Sequence, residues 1–305
     1  MKTPRALTLS AAFPGYAFEP GPVGGRAWSK LRQDKSGLLG LAIVAVFLFL
    51  SLGVVFGWLG QGWSVADGGR WEPASVNHWL GTNLLGQDIF QRAVFSTRTA
   101  FEIGLVVSLL STLLGALLGA LAGWYNGKPG RTWVDGSVLW LMGVLDSIPF
   151  YLFVAAVAYA LQDWPWAMHT AMVATFWTNT GRLVRAEVMR IKSREFVLSA
   201  RAIGLPTPLI LLRHVLPNTT HILLVQATII FVAAIKTEVI LSFLGLGVQD
   251  GVSWGLMLAE STQEVLAGHF NNFLAASLML FVLLLGFNLL ADALRDALDP
   301  RQAAL

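Results

Sequence analysis

Long stretches without a charged residue are the feature that most constrains how this chain can fold. The first runs from Leu38 to Trp58, about 21 residues. At 1.5 Å per residue, a helix of that length crosses the roughly 30 Å hydrocarbon core of a bilayer. The run is too long for the apolar region of a signal peptide, and no small-residue cleavage pattern follows it. We therefore expect it to be retained as a membrane span.

Five further apolar segments follow, and together the six predict an all-α membrane protein. Only 13% of the residues are charged, against roughly 25% in soluble domains. Backbone groups in lipid must be bonded internally, and these segments are about twice the length of a barrel strand. The fourth span is short and contains His169, so a re-entrant helix is its alternative. The predicted spans are approximately 38–58, 101–124, 138–161, 166–178, 220–244 and 273–290.

The distribution of the basic residues predicts the orientation of the spans. With six spans and the N-terminus inside, seventeen of the 21 Lys and Arg residues lie in inner segments. Removing the fourth span would place Arg295 and Arg301 outside. The positive-inside rule therefore favours six transmembrane helices with both termini cytoplasmic. The pI near 9.4 then reflects topology, and no nucleic-acid partner is expected.

These spans divide the chain into three parts. Residues 1–27 contain several prolines and are predicted to form a flexible cytoplasmic arm. Residues 28–37 form a basic membrane-proximal segment, and 38–305 form the transmembrane domain. The loops of that domain are predicted at 59–100 and 245–272 on the outer side and at 181–219 on the inner side.

The inner loop, 181–219, is long for a connection and contains seven Lys and Arg residues. Its sequence predicts one helix over 182–203, with Phe196, Ala200 and Ile203 on one face and Gly204 as its end. A second short helix, LILLRHVL, is predicted to end at Pro217. Such helices could fill a groove on a cytoplasmic partner or lie on anionic membrane lipid. The pattern alone leaves both interpretations open.

Part of this loop resembles the EAA motif of type I ABC importer permeases. The motif's acidic first residue is replaced by Leu198 and its first alanine by Ser199, while Glu195 lies one turn earlier and could substitute for the acid. Gly204 and the pair Leu216-Pro217 follow at the motif's spacing. By this resemblance, the residues that couple to an ATPase are Glu195, Phe196, Leu198, Ser199, Ala200, Arg201, Ile203, Gly204, Leu216 and Pro217.

Three further segments, 81–98, 241–261 and 288–301, resemble the dipeptide/oligopeptide branch of these binding-protein-dependent permeases. In the first segment, Asn83 and Gln87 stand where the pattern G-T-D-x-x-G-R-D has an acid and an arginine. The resemblance extends over about residues 28–301.

The resemblance implies a permease in a prokaryotic inner membrane that forms half of a translocation pathway. Its expected partners are a homologous second permease, two cytoplasmic ATP-binding subunits and an external substrate-binding protein. The expected substrate is a peptide, with nickel or another small solute as the alternative. No Walker A motif occurs, so this chain is not expected to be an enzyme or to hold a cofactor; ATP and Mg would belong to the ATPase subunits. A secondary transporter or a membrane scaffold remains possible from other classes.

Charged residues within the spans are candidates for the translocation pathway, because a charge at the bilayer centre costs about 2.5 to 3.5 kcal/mol. They are Asp146, Lys236 and Glu238. Lys236 could face the pathway and meet a peptide carboxylate, pair with a residue such as Asp146, or extend to the outer surface. Asp146 precedes Pro149 by three residues and could mark a kinked pathway helix or a buried polar anchor.

Four other patterns carry smaller predictions. Gly115, Gly119 and Gly123 repeat on one helix face and predict close helix packing. The stretch 251–255 matches G-x-S-x-G, but it lacks the strand–turn–helix context of a nucleophile elbow, so no catalytic residue is predicted. No metal-ligand spacing occurs among the histidines. The outer loop offers Trp63, Trp71 and Trp79 either as anchors for an external protein or as packing and membrane-interface residues.

Overall fold

The structure, a computed structural model, describes residues 30, 32–161, 164–248 and 251–298. The arm predicted at residues 1–27 lies outside that part of the chain. Within it, the named elements are all helices, accompanied by two isolated β-bridges between residues 66 and 88. The helices are α1 (Lys35–Val55), α2 (Ile89–Tyr125), α3 (Thr132–Asp146), α4 (Phe150–Ala160), α5 (Ala167–Ile191), α6 (Glu195–Ala202), α7 (Thr207–Ile210), α8 (Thr220–Phe243), α9 (Trp254–Leu266) and α10 (Asn271–Leu298).

Four helical stretches are long and apolar enough to cross a membrane: α1, α2, residues 207–243 and α10. The helices α3 and α4 pass the same test as a pair, which gives up to five spans by length and composition. The prediction of a helical membrane protein is confirmed at this level. The predicted fourth span corresponds to α5, whose second half contains Arg182 and Arg185, and its crossing of the membrane stays a prediction.

The third predicted span, 138–161, is not a continuous helix. It consists of the end of α3 and all of α4, which meet at an angle of 90°. Pro149 precedes α4 with a ψ of 119°, outside the helical region. A proline lacks the N–H that would continue the ladder of α3, and it disfavours helical backbone in the residue before it. The break therefore lies just after Asp146, where the sequence allowed a kink.

The prediction of one helix over 182–203 is wrong, because the chain breaks between α5 and α6. Arg194 has an extended backbone with ψ of 148°. Ser193 donates its hydroxyl to the carbonyl of Arg190 at 3.1 Å, a local bond that competes with the helix ladder. Lys192 turns its ammonium toward the end of α2, where it donates to the carbonyls of Gly123 and Asn126 at 3.0 and 2.8 Å. Tertiary contacts thus override the local pattern.

The prediction that a short helix ends at Pro217 is also wrong. Residues 207–243 are helical throughout, and α7 and α8 are joined by a π-helical turn (Leu211–Val215) and a 3₁₀ turn (Leu216–Thr219). Pro217 lies at the start of the 3₁₀ turn, where its missing N–H costs little. The segment that follows α6 is therefore continuous with a membrane-length helix.

The centre of the bundle is α2, which packs against α1, α5 and α8. Its closest neighbour is α5. A Cβ atom on Gly119 would lie 2.4 Å from the carbonyl oxygen of Gly181, and one on Gly115 would lie 2.7 Å from the carbonyl oxygen of Trp177. The two backbones approach this closely only because these positions lack side chains. The prediction of close packing along this glycine face is confirmed, and the partner is a helix of the same chain.

Candidate functional site

The EAA-like residues of α6 divide into a buried and an exposed set. Val197 and Ala200 are buried and pack under α2 and α5 in a cluster that includes Trp124 and Val188. The exposed residues are Glu195, Phe196, Leu198, Ser199 and Ile203, of which Ile203 is 77% exposed. The predicted face of Phe196, Ala200 and Ile203 is therefore not a single surface, because Ala200 anchors α6 from its inner side.

Gly204 ends α6 in a Schellman motif. The N–H of Leu205 donates to the carbonyl of Ala200 at 3.1 Å, and the N–H of Gly204 donates to that of Arg201 at 3.0 Å. Gly204 has a φ of +80°, a conformation that disfavours residues with a Cβ. Its Cβ position faces open space, so the glycine serves the backbone turn rather than a close contact. This motif fixes the direction in which Ile203 projects.

The remaining EAA-like residues lie close to the end of α2. The guanidinium of Arg201 lies 4.2 Å from the centre of the Trp124 ring. Leu216 is half-buried against the same apolar cluster, and Pro217 is exposed. The coupling residues predicted from sequence thus form one short, capped helix and the turn behind it, with part of the set on the surface and part holding the surface in place.

The family-like segment 81–98 forms the N-terminal cap of α2, which ends at Asp88, and the first turns of that helix. Asp88 accepts from the N–H of Gln91 at 2.9 Å and contacts the ring of His78 at 3.0 Å. Asn83 accepts the N–H groups of Leu85 and Gln87 through its side-chain oxygen, at 2.9 Å each. An aspartate would offer the same acceptor. The replacement of the family's acid by Asn83 therefore preserves this turn.

Contacts to α9 fasten this cap from the other side. The side chain of Arg92 is only 3% exposed and donates to Glu260 at 2.6 Å. It also donates to the side-chain oxygen of Gln87. The N–H of Leu84 donates to Glu264 at 2.7 Å. Burial raises the pKa of Glu260, and the positive charge of Arg92 opposes that rise.

The three charged pathway candidates occupy different environments. Glu238 is buried and accepts from the hydroxyl of Ser242 at 2.5 Å, whereas Lys236 is exposed, so the two lie on different sides of α8 as predicted. Lys236 makes no hydrogen bond or ion pair with any residue that the structure describes. Asp146 pairs with Arg182 and accepts from Thr178 at 3.3 Å, so it is not the partner of Lys236. It lines a cavity of about 500 Å³ at the break between α3 and α4.

The serine of the G-x-S-x-G match has a structural role. Ser253 is the N-cap of α9, and its hydroxyl oxygen accepts from the N–H of Leu256 at 3.1 Å. No strand precedes Ser253 in the described ranges. His269, the histidine that follows this stretch in the sequence, stacks on Trp71 with ring centres 4.4 Å apart.

The three tryptophans predicted to lie in the first outer loop divide into packed and exposed side chains. Trp63 packs on Phe95 with ring centres 4.9 Å apart, and Trp71 is half-buried against His269. Trp79 is 65% exposed, although its ring lies 4.9 Å from that of Phe90. Packing within the chain thus accounts for the first two, and Trp79 is the one that presents a large free surface.

Sequence reasoning missed the polar pairs that join distant segments. Asp135 accepts from Arg185 at 2.6 and 2.8 Å, although fifty positions separate them. Arg92 and Glu260 are farther apart still. No local spacing marks such pairs. Asp135 and Arg185 lie close to predicted spans, where an unpaired charge is costly, but Glu260 lies in the middle of a predicted loop and gave no such signal.

The fold and these sites define a multispanning helical membrane protein in which a short helix, α6, capped at Gly204, follows α5. A family model described as "Binding-protein-dependent transport system inner membrane component" matches residues 115–304. This chain belongs to that family, whose members are membrane components of transport systems. The resemblance seen in the motifs is therefore confirmed.

Several relatives align over most of the chain. The dipeptide transport system permease protein DppC of Bacillus subtilis is 33% identical over 279 residues, which is 90% of this chain and 85% of the relative. The oligopeptide transport system permease protein OppC of Mycobacterium tuberculosis is 34% identical over 77% of this chain and 79% of the relative. The glutathione transport system permease protein GsiD of Pectobacterium atrosepticum is 38% identical over 75% of each.

Proposed function

We propose that this chain is the permease subunit of an ATP-driven, binding-protein-dependent peptide importer and forms half of its translocation pathway. One observation carries the substrate class. Relatives that align with three quarters or more of the chain are named as permeases for dipeptides, oligopeptides and glutathione, which are all peptides. The proposed location is a prokaryotic inner membrane, with six spans and both termini cytoplasmic, in agreement with the bias of basic residues.

The proposed contact with the ATPase is the exposed side of α6. Phe196, Leu198 and Ile203 are 45%, 49% and 77% exposed, on a helix whose other side is anchored in the core. Exposed apolar side chains on a rigid helix are typical of a surface that fits a groove on a partner. A small movement of a bound ATPase would be transmitted through Ala200 and Val197 to α2 and α5.

The proposed assembly contains a second, homologous permease, two ATP-binding subunits and an external binding protein. ATP and Mg would be held by the ATP-binding subunits. Trp79 and the outer segment around it are the proposed docking surface for the binding protein. Within the pathway, Lys236 is the proposed contact for a peptide carboxylate, because it is exposed on a membrane-length helix and unpaired within the described ranges.

Uptake of a radiolabelled dipeptide tests the proposal. Cells that carry the complete transporter are compared with cells that lack only this chain, with and without depletion of ATP. We expect uptake that needs both the chain and ATP and that excess unlabelled peptide suppresses but nickel does not. Uptake driven by a proton gradient without ATP would identify a secondary transporter, and competition by nickel alone would favour the small-solute alternative.

A Lys236→Ala variant separates the pathway proposal from the rest. We expect lower uptake of dipeptides with a free carboxylate and a smaller effect on amidated ones. Equal uptake of both by the variant and the wild type would remove Lys236 from the pathway.

A further inference from the structure

Four basic side chains surround the last turn of α2. The ammonium of Lys128 and the guanidinium of Arg201 each lie 4.2 Å from the centre of the Trp124 ring. Arg131 donates to the hydroxyl of Tyr125 at 3.2 Å. Lys192 donates to main-chain carbonyls of the same turn. We call Lys128, Arg131, Lys192 and Arg201 the basic cluster.

Among the residues that the structure describes, no carboxylate forms an ion pair with a member of the basic cluster. Asp135, the carboxylate that acts on it, is already bonded to Arg185 and, at 2.7 Å, to the amide of Asn126. Two nitrogens of Arg201, Nε and Nη2, are buried and have no acceptor among the described residues. Burial and the charges of the other three cluster residues lower the pKa of Lys128 to about 8. Burying cations next to each other without an opposing charge is unfavourable. The basic cluster therefore indicates that an anion from outside the chain binds here.

An apolar groove begins beside this cluster. It has a volume of about 190 Å³ and lies between the end of α2 and the segment 207–216. Two of its leucines, Leu121 and Leu212, are 38% and 62% exposed. Tyr125 belongs to both features, because it lines the groove while its ring lies within 5.2 Å of the Lys128 ammonium. The other lining residues include Leu117, Pro208, Leu211 and Leu216.

We propose that the basic cluster and the apolar groove together bind one anionic phospholipid. Its phosphate lies against Lys128, Arg131 and Arg201, and an acyl chain occupies the groove beside Leu121. Basic side chains at the cytoplasmic end of a span attract anionic headgroups. The apolar groove offers a place for an acyl chain, which a free phosphate lacks. The site does not depend on which solute is transported. It connects the inner membrane leaflet to α6 through Arg201.

Lipid binding to the complete transporter tests this site. The transporter is reconstituted in nanodiscs of phosphatidylglycerol and phosphatidylcholine, and bound lipids are counted by native mass spectrometry after transfer to detergent. We expect the Lys128→Gln/Arg131→Gln variant to bind phosphatidylglycerol roughly 30-fold more weakly than the wild type. Each lysine or arginine near a membrane surface contributes a similar free energy to the attraction of anionic lipid, and this variant removes two of them. The matched control Arg70→Gln/Arg98→Gln removes two cations from the predicted outer side and is expected to retain the lipid.

A second pair of variants tests the groove. Leu121→Trp fills it without changing any charge and is expected to reduce retention of phosphatidylglycerol. Leu105→Trp, at another exposed position of α2, is expected to leave retention unchanged. Unfolding temperatures in pure phosphatidylcholine verify that all four variants fold.

A third measurement distinguishes a phospholipid from inorganic phosphate as the bound anion. We expect phosphatidylglycerol, but not inorganic phosphate added to phosphatidylcholine nanodiscs, to raise the unfolding temperature of the wild type. Equal stabilisation by inorganic phosphate would assign a soluble anion and overturn the proposal. Equal phosphatidylglycerol retention by the charge variant and its control would overturn it as well.

Discussion

Arg92 is a cation inside the protein that forms its ion pair with Glu260, and Glu264 also acts on its charge. Its side chain is 3% exposed, while Glu260 keeps 29% of its side chain accessible. Replacing Arg92 with Met would leave Glu260 without its ion-pair partner, while the side-chain oxygen of Gln87 would keep the amide of Asn83 as a donor at 3.0 Å. Removing one partner of a buried ion pair costs about 3 to 5 kcal/mol. We expect a loss near the lower limit, because Glu260 is partly exposed.

The measurement is denaturant unfolding of the purified protein. Arg98→Met is the control, since it changes the same residue type on the same helix at an exposed position. Similar stability losses in both variants would show that the Arg92 pair contributes no more than a surface charge.

The contact between His78 and Asp88 gives the segment 59–88 a pH dependence. Its hydrogen bond to Asp88 raises the pKa of His78 above the usual 6.5. The stabilisation that protonated His78 gives to the fold is fully present below pH 6.5, where this histidine is protonated in the unfolded chain as well. It is lost as the pH rises through the elevated pKa of His78 in the folded protein. We expect residues 59–88 to resist limited proteolysis better at pH 6 than at pH 8.5.

The His78→Gln variant is expected to lose that difference. His214→Gln, far along the chain in the predicted inner loop, is the control and should keep it. A wild type with the same cleavage rate at both pH values would contradict the assignment.

The glycine face of α2 sets how closely α5 approaches. Gly119→Ala would place a methyl group 2.4 Å from the carbonyl oxygen of Gly181. Overpacking of this kind costs about 1 to 3 kcal/mol. Gly136→Ala, in the interior of α3, meets nothing within 4 Å and is expected to be neutral or to stabilise by up to about 1 kcal/mol. Thermal unfolding of both variants measures the contrast, and equal unfolding temperatures would contradict the packing account.

Helices and their packing could be predicted from sequence where a single local pattern, such as an apolar run or a regular glycine spacing, is sufficient. The apolar runs that became α1 and α10, and the glycine spacing on α2, depend on composition and repeat alone. The break after Ile191 was not predictable, because it depends on Lys192 reaching carbonyls at the end of α2. The burial of Ala200 was missed for the same reason: the pattern indicates a face but not its partner.

At the scale of the whole molecule, the topology can be tested directly because the sequence contains no cysteine. Single cysteines at Val76, Ser193 and Leu266 would be exposed to a membrane-impermeant maleimide on whichever side they lie. Six spans place Val76 and Leu266 outside and Ser193 inside. We therefore expect Val76→Cys and Leu266→Cys to react in intact cells and Ser193→Cys only after permeabilisation. Reaction of Ser193→Cys in intact cells would show that α5 does not cross the membrane.

The proposed function of this permease depends on coupling to the ATPase through the exposed side of α6. The most direct measurement is stimulation of ATP hydrolysis by the loaded binding protein in the reconstituted transporter. Ile203 is 77% exposed, so Ile203→Asp should leave the fold intact while placing a charge in the ATPase groove. Leu266→Asp, at an 83% exposed position on the predicted outer side, is the control. We predict that Ile203→Asp loses at least 10-fold of the stimulation and that Leu266→Asp keeps it; full stimulation in Ile203→Asp would contradict the account.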